Sequence, residues 1–470
     1  MIRPFPAEPP AAPAVSRRFR STTRPAPLQN PIVALLLLAA TAASAQTPCW
    51  QDPAVFNVNG ESRRTEIIFH PTRSEALTLP FERSANYRSL DGEWRFRYFD
   101  TPEQLPAGIS ATTAAEAAAW GTIRVPGNWE VQGHGMPIYV NTVYEFAPVD
   151  PQPPQLPAAT PVGVYFRTFR VPDAWRGRTV YLNFGGAKSG AYVYVNGREA
   201  GYFEDSKNAV RYDITPLLRE GDNDLVVKIY RWSTGSWLEC QDFWRMSGIE
   251  RSVYLSSERR PTGFDFEVVS TLDEGLRDGL FELRLAADSA CRIDCAYELL
   301  DADGRAVLSG DGTLSGACRF TGRVPDVRPW SAEHPALYTL LLCVDGEYAR
   351  FNVGFRRFEI TDAERPDSAD RPCRVLLVNG QPVKFKGVNY HEHNPWTGHY
   401  PTRELLLEDL RPMPRAHINA PPPSHHPLPR SLSHLPALLG FLIHPHLHTQ
   451  SSVIARHPPP PPRPPHPWPP

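Results

Sequence analysis

The chain has 470 residues, with 49 Lys and Arg against 51 Asp and Glu for a formal net charge of −2, and 11% of its residues are aromatic. This length suits two to four domains, and the even charge balance gives no electrostatic basis for binding nucleic acid. Seven cysteines without a C-x-x-C pair argue against a zinc site. The 11 Trp and 17 Tyr offer flat apolar faces with one polar edge, suited to β-sandwich cores and to stacking on sugar rings.

Near the N-terminus, Arg17, Arg18, Arg20 and Arg24 precede the apolar run 32–40 and then Ala43-Ser44-Ala45. This order is that of a secretory leader, so residues 1–45 are expected to be removed and the product exported to the periplasm or the medium. About nine apolar residues fall well short of the roughly 20 that a permanent membrane helix needs, so no stable membrane span is expected.

Across 90–255, short runs of period-2 alternation are separated by turn signals, the pattern of an all-β sandwich filling a first domain over 46–258. Leu225, Val227 and Ile229 share one face of such a strand. Residues 191–195 and 198–202 flank Asn196-Gly197, a pair that supplies the two positive φ angles of a type I′ hairpin turn. Alternation resumes at 264–269, 280–285 and 338–344, and some 100 residues of this kind predict an immunoglobulin-like sandwich over 259–361. A polar linker over 362–372 leads to a second hairpin at Asn379-Gly380.

Residues 383–394 (VKFKGVNYHEHN) run from an apolar strand into a cluster of His and carboxylate groups. Thr402 then caps a helix carrying Leu406, Leu407, Leu410 and Met413. Strand, loop and helix predict the first unit of a (β/α) barrel over 372–420. Pro412 and Pro414 then break the helix inside its apolar pattern, each at a cost of about 3 kcal/mol or more. From 421 to 470 the chain holds 17 Pro and 8 His but no acidic residue, the last being Asp409. This composition reads as a frame-shifted, disordered Pro/His-rich tail, with the chain from about 372 poorly ordered because one βα unit cannot close a barrel.

Six ordered blocks resemble glycoside hydrolase family 2, and within it the β-galactosidases: 88–96 (RSLDGEWRF), 125–129 (VPGNW), 137–141 (PIYVN), 201–206 (GYFEDS), 241–251 (QDFWRMSGIER) and 385–393 (FKGVNYHEH). The resemblance runs from about 60 to 420. It implies a mainly β chain: a jelly-roll domain, an immunoglobulin-like β-sandwich, and then the start of an uncompleted (β/α)8 barrel. It further implies hydrolysis of terminal β-galactosides with retention, using two Glu from later barrel strands, and a family that is often homo-oligomeric. Both Glu would lie beyond the resemblance, leaving no catalytic residue to assign and this chain inactive alone. The alternative is a non-catalytic carbohydrate-binding or assembly fragment.

The resemblance carries three positions into a galactose pocket. Asn141 would hydrogen-bond sugar hydroxyls, Asp205 would bind the sugar and help hold a sodium ion, and His391 would contact the sugar in the transition state. The family's magnesium ligands have no counterpart, and the sodium site would be partial. Taken as bare residues, Asn141 could cap a turn and Asp205 could form an Asx-turn. His391 and His393 have the spacing of a metal pair without a recognisable third ligand. Ser424-His425 falls near another sugar-contacting His of the family, but its surroundings differ and it receives no role.

Overall fold

The computed structural model describes residues 47–442 other than 63, 142, 289–291, 364–372, 401, 422, 425, 427 and 429–434. The described residues from Pro48 onward form one unit. The leader expected over 1–45 lies outside the described residues.

The first sandwich places a seven-stranded antiparallel sheet over a four-stranded one. The large sheet runs Asn57–Val58, Arg198–Phe203, Gly190–Val195, Asp222–Tyr230, Val162–Arg170, Gly92–Phe99 and Gly121–Val125; the small one runs Val210–Asp213, Thr179–Phe184, Val253–Glu258 and Tyr87–Ser89. Leu225, Val227 and Ile229 are fully buried between the sheets, with Val193, Leu182, Phe184 and Leu255. Each such side chain contributes roughly 1.5–3 kcal/mol. The expected hairpin is present: Asn196 and Gly197 have φ of 52° and 75°.

The outer face of the same central strand is also buried. Val226 and Tyr230 join a second cluster with Phe166, Tyr192, Tyr194 and Trp50, and the Trp50 ring stacks on Tyr230 at 4.8 Å. Alternation alone predicts one buried face; the segment before the first strand covers the other.

The second sandwich has sheets of three and four strands. Asp265–Leu272, Gly279–Ala286 and Ala317–Val324 oppose Ala306–Leu314, Ile293–Leu300, Tyr338–Val344 and Glu347–Val353 around Leu283, Leu299, Leu340 and Phe355. Buried Glu347 ties it to the first sandwich, accepting from Asn86 Nδ2 at 3.0 Å and from Arg178 Nη2 at 2.9 Å.

On either side of the linker, Phe358–Ala363, whose end takes in Asp362 and Ala363, pairs with Cys373–Val378, and Gln381–Pro382 completes a small antiparallel sheet that includes the expected Asn379-Gly380 turn, with φ of 51° and 75°. The helix Arg403–Leu410 follows, with Thr402 Oγ1 accepting from Leu405 N. It stops at Arg411, so Pro412 and Pro414 sit in the turn beyond it, where proline is commonly found. The expected clash inside the helix therefore does not arise.

Gly387 and Tyr390 form isolated parallel bridges with Ala420 and Pro423, on either side of the helix, while the strand expected over 383–394 is not formed as a continuous strand. Leu406 and Leu410 pack on Leu435 and Phe441. The barrel-like unit thus continues past 420, and the expectation of poor order does not hold for 373–400, which carry defined pairing and buried side chains. Residues 443–470 lie outside the described residues. Among the described residues, no helix is long and apolar enough to cross a membrane.

Candidate functional site

Three stretches far apart in sequence meet beside the first sandwich: the turn at 204–208, the segment 241–251 and the segment 391–399. Asp205 occupies the left-handed region at φ 73°, and its Oδ1 accepts from Asn208 Nδ2 at 2.8 Å. Ser206 donates to both oxygens of Glu239, through N at 2.8 Å and Oγ at 2.6 Å. Burial holds Glu239 above the usual carboxylate range. Gly186 permits this approach, because a Cβ there would lie 2.6 Å from Ser206 O.

Lys207, next along the turn, is 3% exposed and lies 2.6 Å from Glu250 Oε2 and 3.3 Å from Glu392 Oε1. Arg251 Nη2 reaches the same Glu392 oxygen at 2.9 Å, while its Nη1 donates to Lys207 O at 2.5 Å. Burial alone would push Glu250 up, but the Lys207 charge, with that of Lys188, holds it below the ordinary value. Asn128 closes the arrangement: Nδ2 donates to Glu250 Oε1 at 2.9 Å and Oδ1 accepts from His399 N at 2.6 Å. His399 is pushed down to about 4 by burial and then by the Lys207 charge. Its neutral ring carries one N–H, and the 2.8 Å approach of Nε2 to the Trp244 carbonyl places the proton there.

Asn141 is exposed in the bend after the strand Ile138–Val140, which pairs with Phe243–Arg245. Tyr139 packs edge-on to Trp244, and its hydroxyl hydrogen-bonds Asp242. Arg245, fully buried, pairs with Glu145 at 3.3 Å, whose Oε1 accepts from Trp232 Nε1 at 3.0 Å. Phe243 receives the Lys188 ammonium 4.7 Å above its ring and the His399 ring edge-on at 5.3 Å. The strand that carries Asn141 is thereby joined to the 391–399 segment.

His391 is half-buried, Glu392 buried and His393 exposed, with the two His rings 6.2 Å apart. Their neighbours Lys207 and Glu392 form one of the contacts that join the Asp205 and His391 stretches. Sequence reasoning missed Lys207, Glu250, Arg251, Glu392, Asn128 and His399. The available signal was Glu250-Arg251 following Gly-Ile in an otherwise apolar strand entry. His425 lies outside the described residues; adjacent His426 packs edge-on to Phe243 at 5.2 Å.

Among the described residues, no three His, Cys, Asp or Glu side chains converge as a metal site. Asp205 offers one hard-oxygen ligand, with Oδ1 accepting from Asn208. Glu250 and Glu392 share Lys207, but both are buried and charge-paired. They offer no accessible face to a sugar.

Residues 87–259 match the sugar binding domain of glycosyl hydrolases family 2, and residues 373–449 match that family's TIM barrel domain. The second match runs past residue 420, where the sequence resemblance was expected to end. The chain is 36% identical over 391 residues to a β-galactosidase of Halalkalibacterium halodurans, covering 80% of this chain and 37% of that protein. A Priestia megaterium β-galactosidase is 36% identical over 405 residues, covering 81% and 38%, and a Streptococcus thermophilus β-galactosidase is 37% identical over 394 residues, covering 80% and 36%. The chain therefore spans little more than a third of the length of these curated relatives. Among solved structures, a Bacteroides vulgatus β-glycosidase has a TM-score of 0.59 at 23% identity over 76% of this chain and 44% of that one. A Bifidobacterium dentium β-glucuronidase reaches 0.61 at 19% identity over 77% and 61%; these two speak to the fold alone. With two of the family's domains matched in order and relatives aligned across both sandwiches, the chain belongs to glycoside hydrolase family 2.

Proposed function

We propose that this chain supplies the galactoside-recognition part of an exported β-galactosidase, with Asn141, Asp205 and His391 lining a pocket for a terminal β-galactosyl group. The observation that carries the reading is the locking of the Asp205 turn to the His391 segment through Lys207 and Glu392. Two family positions distant in sequence are thereby held on adjoining stretches. Asp205 is suited to accept from a hydroxyl pair and Asn141 to both donate and accept. Hydrolysis with retention needs two carboxyl groups about 5 Å apart flanking the scissile bond. Glu250 and Glu392 are engaged in ion pairs, and our reading is that this chain alone binds without hydrolysing. Export rests on the leader read in residues 1–45.

The test is saturation-transfer NMR of the full chain with methyl β-D-galactopyranoside and, separately, methyl β-D-glucuronide. Binding of the galactoside in preference, weakened about tenfold by Asp205→Ala or Asn141→Ala as a lost hydrogen bond to a polar group predicts, supports the reading. Preference for the glucuronide, or affinity unchanged in both variants, overturns it. Release of nitrophenol from o-nitrophenyl β-D-galactoside by the purified chain would refute the separation of binding from hydrolysis.

A further inference from the structure

The four ionic groups Lys207, Arg251, Glu250 and Glu392 sum to zero charge and are each 5% exposed or less. Glu392 Oε1 is the shared acceptor, 3.3 Å from Lys207 Nζ and 2.9 Å from Arg251 Nη2. Lys207 and Arg251 belong to the first sandwich, and Glu392 to the opening segment of the barrel. Removing one partner of such a cluster leaves a charge buried and uncompensated, whereas removing an opposite pair does not.

The two ends of the ion pair sit beside the positions read as sugar-binding: Lys207 two residues after Asp205, Glu392 directly after His391. His393 N donates to His391 O at 2.9 Å, a tight turn centred on Glu392, which is buried while His391 is half-buried and His393 exposed. A second tie does not use the Glu392 carboxylate. Asn128 Oδ1 accepts from His399 N at 2.6 Å, and a Cβ on Gly398 would lie 2.1 Å from that same oxygen. The barrel segment is therefore pressed on the sandwich at two points seven residues apart, and Glu392 is the charged one.

We infer that Glu392 is a positioning residue: held between Lys207 and Arg251, it fixes the His391 segment against the Asp205 turn and so sets the geometry of the galactoside pocket. This rests on the reading of that pocket given above. It differs from a merely structural role in its reach, because loosening Glu392 must disturb both stretches and the ligand they hold while leaving the sandwich cores intact.

The experiment compares the full chain with E392Q, K207M, K207R and the charge-balanced double variant K207M/E392L. Amide hydrogen exchange is read by mass spectrometry over 203–209, 386–400 and the strand Asp222–Tyr230, together with affinity for methyl β-D-galactopyranoside. In E392Q and K207M, both outer segments are expected to exchange at least tenfold faster, with Asp222–Tyr230 unchanged and galactoside affinity about tenfold weaker. K207R, which keeps the charge, restores both readouts to within about threefold of the unmodified chain. Should the single variants not fold, the double variant decides: it retains Asp222–Tyr230 protection but shows the fast exchange at 386–400 and the weakened affinity.

Exchange at 386–400 unchanged in E392Q, or in the double variant, overturns the inference whatever the ligand result. Faster exchange with undiminished galactoside affinity overturns the positioning role. If the unmodified chain binds no galactoside while E392Q shows the coupled exchange at both segments, the galactoside reading fails and the mechanical link between the two segments stands.

Discussion

Glu130 carries a pH dependence whose sign and size follow from its surroundings. It follows Trp129 at the start of a short turn and is 6% exposed. Its Oε1 accepts from Trp129 Nε1 at 2.6 Å and its Oε2 from Ser247 N at 2.9 Å, with Arg231 Nη1 at 3.8 Å. Burial outweighs these partners and pushes the carboxyl up from 4.5 to about 7. Between those values the folded chain binds a proton that the unfolded chain has released, so stability falls as pH rises from about 4.5 to about 7 and is level above. A displacement of this size corresponds to roughly 3 kcal/mol. Glu130→Gln keeps an acceptor for the Trp129 indole and removes the titration. Urea unfolding of the first sandwich, followed by near-ultraviolet circular dichroism at pH 5 and pH 8, reads the difference. The stability of the Gln variant relative to the unmodified chain should rise by about 3 kcal/mol between the two conditions. Glu204, also pushed up to about 7 chiefly by burial, is common to both proteins and cancels. Parallel stability curves across this range would show that Glu130 is ionised throughout and that its three donors, not burial, set its state.

Gly163 lies in the strand Val162–Arg170, paired on both sides, and a Cβ there would fall 2.3 Å from Trp129 Cζ3 and 2.9 Å from Phe96 Cε2. Gly163→Ala should therefore cost about 3 kcal/mol by overpacking, and urea stability within 0.5 kcal/mol of the unmodified chain, a roughly neutral result, would contradict the packing. Asn128→Ala leaves Ser247 O, Glu250 Oε1 and His399 N without their partner at 3.1, 2.9 and 2.6 Å. At roughly 1–3 kcal/mol per buried unsatisfied group, limited proteolysis should cut within 391–400 well before the first sandwich unfolds, and equal cleavage rates would refute the tie.

What the sequence made legible was local. Both Asn-Gly turns adopt the positive φ angles read from the dipeptide alone, because the steric preference belongs to those two residues and no distant contact is needed. Leu225, Val227 and Ile229 point into the core as their spacing required. The opposite face of that strand was not legible, since Val226 and Tyr230 are covered by Trp50, far earlier in the chain. Pro412 does end the helix as read, but the placing of Met413 on its docking face failed for a related reason. Met413 continues the apolar helical pattern and does pack on the Leu406 cluster, but it does so from a turn after the helix has ended. Hydrophobic spacing records which residues are buried and leaves the backbone that delivers them open. The parallel pairing of Tyr390 with Pro423 was hidden as well, because a proline there reads as a strand breaker unless it sits at an edge or a strand end.

The candidate site separates along the same line. Asn141, Asp205 and His391 were reached through motif resemblance, whereas the residues that physically join their stretches were not, because the Arg251–Glu392 pair closes over 141 positions. A buried ion cluster of this kind is a poor source of net stability, since desolvating four charges offsets most of their attraction. An apolar junction would hold the barrel segment to the sandwich at least as firmly, but it would tolerate sliding. Charged groups at 2.6, 2.9 and 3.3 Å do not, because a shift of even an ångström leaves a buried charge unsatisfied. What the cluster contributes is register, and register is what the proposed pocket, drawn from three separate stretches of chain, would require.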